Sequence, residues 1–285
     1  MKSDLECIPC FLHQAAQAAR HGGVDAARQE TLLREVLRRL AGADLSVPPP
    51  CTAHEIYRLV KDASGGGDPY REVKQRFNRF VLGRLDALRR RVENAKDPFD
   101  AAVRVSIAGN LIDFGLNAAV KESDLDGAIE AALASPLAVD HVARLKEAVG
   151  SAKRILYLGD NAGEIVLDRL LVERLPRERV TFVVRGAPIL NDALREDAEA
   201  AGLPALVEVI DNGSDAPGTI LERCSPDFQC RFAGADLVIA KGQGNYETLD
   251  VITEKRIVFL LKVKCAVLAR SMGVPLGSLV VKENR

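Results

Sequence analysis

The sequence predicts an α/β protein: a doubly wound, mainly parallel sheet in its second half, preceded by an all-α part of about 150 residues. Two observations carry this. From Lys153 onward, short runs rich in Val, Ile and Leu alternate with helical stretches. Continuous apolar strands separated by helices are the pattern of a parallel sheet covered on both faces. Before Lys153, apolar residues recur at helical spacing instead. The expected division is a helical domain over 1–150, capping the site, and an α/β domain over 151–285.

In chain order, "AARQETLLREVLRRLAG" puts Leu32, Leu33, Val36, Leu37 and Leu40 on one helical face, with Gly42 as its stop. The next helix lies between two breakers, Pro48 to Pro50 and Gly65 to Gly67. "YREVKQRFNRFVLGRLDALRRRVE" continues with a basic outer face, which reads as a solvated surface. "DPFDAAVRVSIAGNLIDFG", "DLDGAIEAALAS" and "VDHVARLKEAVG" complete the helical part. The strands are then "RILYLGD", "VTFVVRG", "LVEVIDNG", "DLVIAKG", "RIVFLLKV" and "SLVVK". Between them run the helices "EIVLDRLLVERL", "ILNDALREDAEAAG" and "CAVLARSMG".

Composition narrows the function classes. A net charge of −1 gives no bulk attraction to nucleic acid or to an anionic membrane, and the absence of tryptophan leaves few platforms for stacking single-stranded bases. No apolar run reaches bilayer length, and "MKSDLECIPCF" lacks the layout of a signal peptide. Six cysteines without an export signal read as thiols of a cytoplasmic protein.

In open α/β sheets, ligands bind beyond the carboxyl ends of the strands. Four successive strand ends here are polar: "GDNAGE" (159–164), "RGAPILND" (185–192), "DNGSDAPGT" (211–219) and "KGQGNYE" (241–247). Asp160 and Asp192 offer carboxylates, Asn161 and Asn191 amide oxygens, and Lys241 a positive charge. An oxygen-only donor set suits a hard divalent ion such as Mg²⁺ or Mn²⁺ rather than Zn²⁺, and such ions usually complete their shell with phosphate oxygens. Gly213, Gly218, Gly242 and Gly244 let backbone N–H groups approach an anion, with Ser214 and Thr219 hydroxyls beside them. The combination points to phosphoryl chemistry. Asp160, Lys241, Asn245 and Glu164 form the candidate catalytic set; Arg185, Ser214, Thr219 and Gly242 are candidate substrate contacts.

Plainer roles stand beside these. Asn161 and Glu164 have the spacing of a capping box, Asp192 can cap the helix after it, and Lys241 can be a surface lysine. In the helical part, Asn110 and Asp113 share a helix face within an apolar stretch, which suits either a pocket rim with substrate contacts or a structural pair. Asp68 reads as a cap before Tyr70 and Lys74. Cys7 and Cys10 form one CxxC, which His13 and Cys51 could complete as a metal site; packing of the first helix is the simpler role. Cys224 and Cys230 read as structural.

In this order, the four loops resemble those of the metal-dependent damage-control phosphatases, a family long catalogued as a domain of unknown function with members described as carboxyl methyltransferases. "CIPCF", "DPYREVK", "GNLIDFG" and "KCAVLARSMGVPLGSLVV" resemble its prokaryotic branch, so the likeness covers nearly the whole chain. It implies a Rossmann-like α/β domain and hydrolysis of phosphate monoesters of small metabolites, among them sugar phosphates and damaged or surplus intermediates. It implies a divalent cofactor (Mg²⁺, Mn²⁺, Co²⁺ or Ni²⁺) held by Asp160, Asn161 and Asp192, and a phosphate contact from Lys241. The expected partner is a small phosphorylated metabolite, with no nucleic acid or membrane; specificity should come from side chains that the helical part projects over the pocket. Two rivals remain at this point: a carboxyl methyltransferase, whose first turn should be glycine-rich where this one carries Asp-Asn, and a non-catalytic metal- or phosphometabolite-binding sensor.

Overall fold

The computed structural model describes residues 1–109 and 122–284, the side chains of 122–124 excepted. Asn110 and Asp113 lie outside the described residues. Along the chain run α1 (Cys7–His21), α2 (Ala26–Ala41), α3 (Pro49–Ala63), α4 (Arg71–Leu82), α5 (Leu85–Glu93), α6 (Pro98–Ala108), α7 (Glu122–Ala134), β1 (Val139–Asp140) and α8 (Val142–Ser151). Then follow β2 (Ile155–Leu158), α9 (Glu164–Val172), β3 (Val180–Val184), α10 (Arg195–Ala200), β4 (Glu208–Asp211), α11 (Pro226–Gly234), β5 (Leu237–Lys241), α12 (Gly242–Leu249), β6 (Ile257–Lys262), α13 (Ala266–Met272) and β7 (Leu279–Glu283).

The seven strands form one sheet in the order β1-β7-β6-β5-β2-β3-β4. All neighbours are parallel except β6 and β7. All six strands expected from the sequence are present. β1 was not expected; it is two residues long and joins the edge through β7, with Val139 opposite Val280. The antiparallel β7 closes a sheet that is otherwise doubly wound.

Alternation along each strand feeds two cores. Tyr157, Phe182 and Ile239 face a cluster shared with α4 to α9, whereas Leu158, Val183 and Ala240 face one shared with α11 to α13. A third cluster unites α1, α2 and α3 through Phe11, Val36 and Tyr57, and it receives Ile189 and Val267 from the α/β part. The helical half therefore packs in two ways: α1–α3 have a core of their own, and α4–α8 share the core of the sheet.

Local signals explain the elements over the site. On α1, Cys7, Phe11, Ala15 and Ala18 are buried at helical spacing. On α2, Asp25 accepts from the Arg28 N–H as a cap, and Leu32, Val36 and Leu40 form the buried stripe. Leu37, expected on that face, is 50% exposed, because the contact with α3 admits a narrower stripe. The triple proline opens α3, where a missing N–H costs nothing in the first turn. No described helix is long and apolar enough to cross a membrane.

Candidate active site at the carboxyl ends of the strands

Strand order reverses between β2 and β5: from β2 the chain proceeds outward through β3 and β4, then returns to lay β5 on the other side of β2. Such a switch point opens a crevice where the loops diverge. A cavity of about 310 Å³ lies at these loops, lined by Asp160, Asn161, Asn191, Asp192, Pro217, Gly218, Gln243, Gly244, Glu247 and Lys264, with further residues from α1, α3 and α13. The helical part thus reaches over the site.

Asp160 and Asn161 follow β2, and Asp192 closes the loop after β3. An isolated backbone bridge pairs Asn161 with Asp192. The Ala193 N–H donates to the Asp160 carbonyl at 2.8 Å, and the Ala162 N–H to the Asn161-flanking loop at the Asn191 carbonyl, 3.0 Å. These bonds hold the two loops edge to edge. Asn161 Nδ2 donates to Asp160 Oδ2 (2.8 Å) and to Glu164 Oε2 (2.9 Å). Both amide protons are then committed, and Oδ1 is turned away from these carboxylates. Arg185 Nε donates to Asp192 Oδ2 at 2.7 Å.

Burial pushes the Asp160 carboxyl well above its ordinary range, and the neighbouring Glu164 and Asp192 carboxylates push it further. Burial also raises Asp192, against the pull of Arg185. Two buried carboxylates flanking the Asn161 side chain, with one guanidinium bonded to them, are a hard donor set that fits a small divalent cation keeping waters in its remaining positions. Among the described residues no three His, Cys, Asp or Glu side chains converge as a metal cluster, so the candidate set depends on the amide of Asn161.

Neither capping role holds. The residue before α9 is Gly163, with no side-chain cap, and α10 begins after Leu194, whose N–H donates to Asp197 Oδ2 at 2.9 Å. Asn161 and Asp192 are thereby free for the cavity. Gly242 has φ +78°, and a Cβ there would stand 1.9 Å from Asp160 Oδ2. Glycine is required because the start of α12 abuts that carboxylate.

Several other expected contacts lie behind the cavity rather than in it. Lys241 is fully buried; its Nζ donates to Glu164 Oε1 (2.8 Å), the Ser106 carbonyl (2.9 Å) and Asp168 Oδ1. These three bonds exhaust the ammonium protons, so Lys241 has none for a phosphate. Burial works against its charge, but Asp168 and Glu164 more than offset this and hold its pKa above the ordinary value. Strand alternation explains the placement: Leu237 and Ile239 face α6 and α9, and Lys241 continues their face toward Glu164 and Asp168, one turn apart on α9. Asn245 is a scaffold residue, with Nδ2 donating to the Lys241 carbonyl (2.8 Å) and Oδ1 accepting from Thr219 Oγ1 (2.7 Å). Ser214 Oγ accepts from the Ala216 N–H within its own loop. Arg185, Thr219 and Glu164 are buried with these partners and do not border the cavity.

Among the described residues, the lysine that does border it is Lys264, exposed two residues beyond β6. It was missed because the strand-end argument was applied to four loops and not to the fifth, "KVKC". Glu247 and Gln243 were missed as individuals although their loop was singled out. Leu190 is the described non-glycine residue with positive φ, +46°, a conformation costing a leucine about 1–2 kcal/mol. It immediately precedes Asn191 and Asp192. Cys7 and Cys10 also border the cavity, and Cys224 is buried in the core under α11.

The model of the damage-control phosphatase ARMT1-like domain matches residues 3–280. The chain is 34% identical over 290 residues to the damage-control phosphatase PH1575 of Pyrococcus horikoshii, covering 100% of this chain and 99% of that one. It is 39% identical over 240 residues to a damage-control phosphatase of Archaeoglobus fulgidus, covering 82% and 83%. The crystal structure of the Pyrococcus horikoshii protein, a member of the DUF89 family, matches over 100% of both chains with a TM-score of 0.91. The fold, the order of the strand-end loops and these likenesses agree: the chain belongs to the ARMT1-like damage-control phosphatase family.

Proposed function

We propose that this phosphatase-family chain is a divalent-metal-dependent hydrolase of phosphate monoesters of small metabolites. The observation that carries the reading is the convergence of Asp160, Asn161 and Asp192 on one cavity that also presents Lys264. Asp160, Asn161 and Asp192 would hold the cation, with Mg²⁺, Mn²⁺, Co²⁺ or Ni²⁺ as candidates. When bound, such an ion supplies charge neutralisation at the phosphoryl oxygens and a fixed position for the attacking oxygen.

The remaining work belongs to the chain. Lys264 approaches a phosphoryl oxygen from β6. Gly218 and Gly244 border the cavity without side chains, letting backbone groups come close to the anion. Glu164 takes one amide proton of Asn161 and one ammonium proton of Lys241, so it fixes the orientation of the amide rather than meeting substrate. Arg185 does the same for Asp192.

The test is phosphate release from a panel of phosphate monoesters with each metal or with EDTA, for the wild type and Asp192→Ala. Release that requires metal and falls about 100-fold or more in the variant supports the reading. Equal release in EDTA, or an unimpaired variant, would remove Asp192 and the metal from it.

A further inference from the structure

The lining of the cavity has a second chemical character. Cys10 and Phe11 on α1, Pro50 and Ala53 on α3, Val267 on α13, and Leu190 border the same space as the polar loops. None carries a strong hydrogen-bonding group on its side chain. Several polar side chains beside them already carry hydrogen bonds. Gln243 Nε2 donates to Glu247 Oε1 (2.6 Å) and Cys265 Sγ (3.4 Å), Gln14 Nε2 reaches Cys10 Sγ (3.7 Å), and Glu6 accepts from Arg270 (2.8 Å). Against this apolar face, as the described residues form it, the hydroxyls of a polyhydroxylated carbon skeleton meet no partner, which is unfavourable, whereas an apolar skeleton gains from leaving water. At about 310 Å³ the cavity is at the small end for ligand pockets, so the skeleton is compact.

Leu190 links the two characters. Its neighbours Asn191 and Asp192 belong to the polar end, while Leu190 also lines an adjoining apolar cleft with Phe11, Ala53 and Ile56. Its left-handed backbone would suit glycine or asparagine better. A strained leucine beside a site's ligand loop indicates that its side chain is used there.

We infer that the cavity selects phosphate monoesters whose alcohol part is compact and apolar over polyhydroxylated sugar phosphates, with Leu190 seating the apolar part beside the phosphoryl end. This rests on the phosphatase reading of the same cavity. The test compares kcat/KM for cyclohexylmethyl phosphate and glucose 6-phosphate, both primary alkyl esters, so that leaving-group chemistry is matched. The expected ratio is about tenfold or more in favour of the apolar ester. Leu190→Gly and Leu190→Asn, which accept the backbone conformation, should bring the ratio toward one. A ratio near one in the wild type, or a preference for the sugar, overturns the inference. A variant that lowers both esters by the same factor overturns the role of Leu190 and reduces it to a support for Asp192.

If neither ester is hydrolysed with any metal, the phosphatase reading fails and the pocket is read by equilibrium binding instead. Calorimetry with cyclohexylmethylphosphonate against inorganic phosphate should then show tighter binding of the phosphonate by about tenfold, diminished in Leu190→Gly. Equal affinity would sink the apolar seat independently of turnover.

Discussion

The cavity floor and the ion network behind it come from the same strand-end motifs and differ in what can reach their charges. In the floor, Asp160 and Asp192 border open space with carboxyls raised by burial; Asn161 Nδ2 donates to the first and Arg185 Nε to the second. In the network, Lys241 stands between Glu164 and Asp168, all three are fully buried, and Tyr157 Oη donates to Asp168 Oδ1 at 2.9 Å. Each set has two carboxylates to one cation, but the floor is accessible and the network is sealed, where burial lifts the Asp168 carboxyl to about 7. An accessible set can take up a cation, whereas a sealed one fixes geometry. Their junction is Glu164, which belongs to the network through Oε1 and to the floor through Oε2. The network therefore sets the angle at which Asn161 meets the cavity.

The comparison is broken most severely by Lys241→Met. Methionine keeps much of the stem but leaves Glu164 and Asp168 buried without their counter-charge. Removing one partner of a buried pair costs about 3–5 kcal/mol. Denaturant unfolding should show that loss, and activity should fall with the folded population. A loss below about 1 kcal/mol would mean that the network is hydrated and does not hold α9 against β5.

Lys264→Ala sharpens the same contrast from the other side. Lys264 is exposed, so stability should change by no more than about 0.5 kcal/mol. Its effect should appear in kcat/KM for any phosphate ester the protein hydrolyses, as a fall of about 10- to 100-fold. That is less than a buried oxyanion donor commands, since water and salt screen an exposed charge. Raising ionic strength should shrink the difference between wild type and variant. A silent Lys264→Ala would return the phosphate contact to a group not yet identified.

These two lysines also mark what could be read from the chain. The strands were legible because each is a run of Val, Ile and Leu with a glycine-polar terminus, and their ends named Asp160, Asn161 and Asp192 correctly as neighbours in one cavity. Both lysines follow such a run, and which one faces the cavity depends on strand phase. Lys241 lies on the face of Leu237 and Ile239, under α6 and α9, and period-two alternation carries enough information to say so. Lys264 lies beyond the end of β6, where alternation no longer constrains direction. The two residues of β1 carry no apolar run, since pairing with β7 alone creates the strand, and the reversed direction of β7 is likewise set by the edge it joins. The wall from α1 and α3 was foreseen only as a general expectation, because helical periodicity says which residues are buried and not against what.

Glu247 gives the smallest of the three effects and separates wall from floor. It stands in the cavity wall, 6% exposed, and burial pushes its carboxyl up to about 7 despite the Gln243 amide donating to Oε1. Its folded-state pKa is above the ordinary glutamate value of 4.5, so the native protein holds this proton more tightly than the unfolded chain. The associated stability is fully present below about pH 4.5 and is lost as pH rises through about 7. Glu247→Gln removes the titration while keeping a similar shape. Thermal unfolding of the variant should therefore be flatter than that of the wild type across this window. The variant should gain about 1–2.5 kcal/mol relative to wild type between pH 5 and pH 8, the upper figure corresponding to a fully retained shift. Parallel curves would show that water reaching the cavity already solvates the ionised carboxylate. In that event the wall at Glu247 is polar in practice, and the apolar lining ends at α1 and α3.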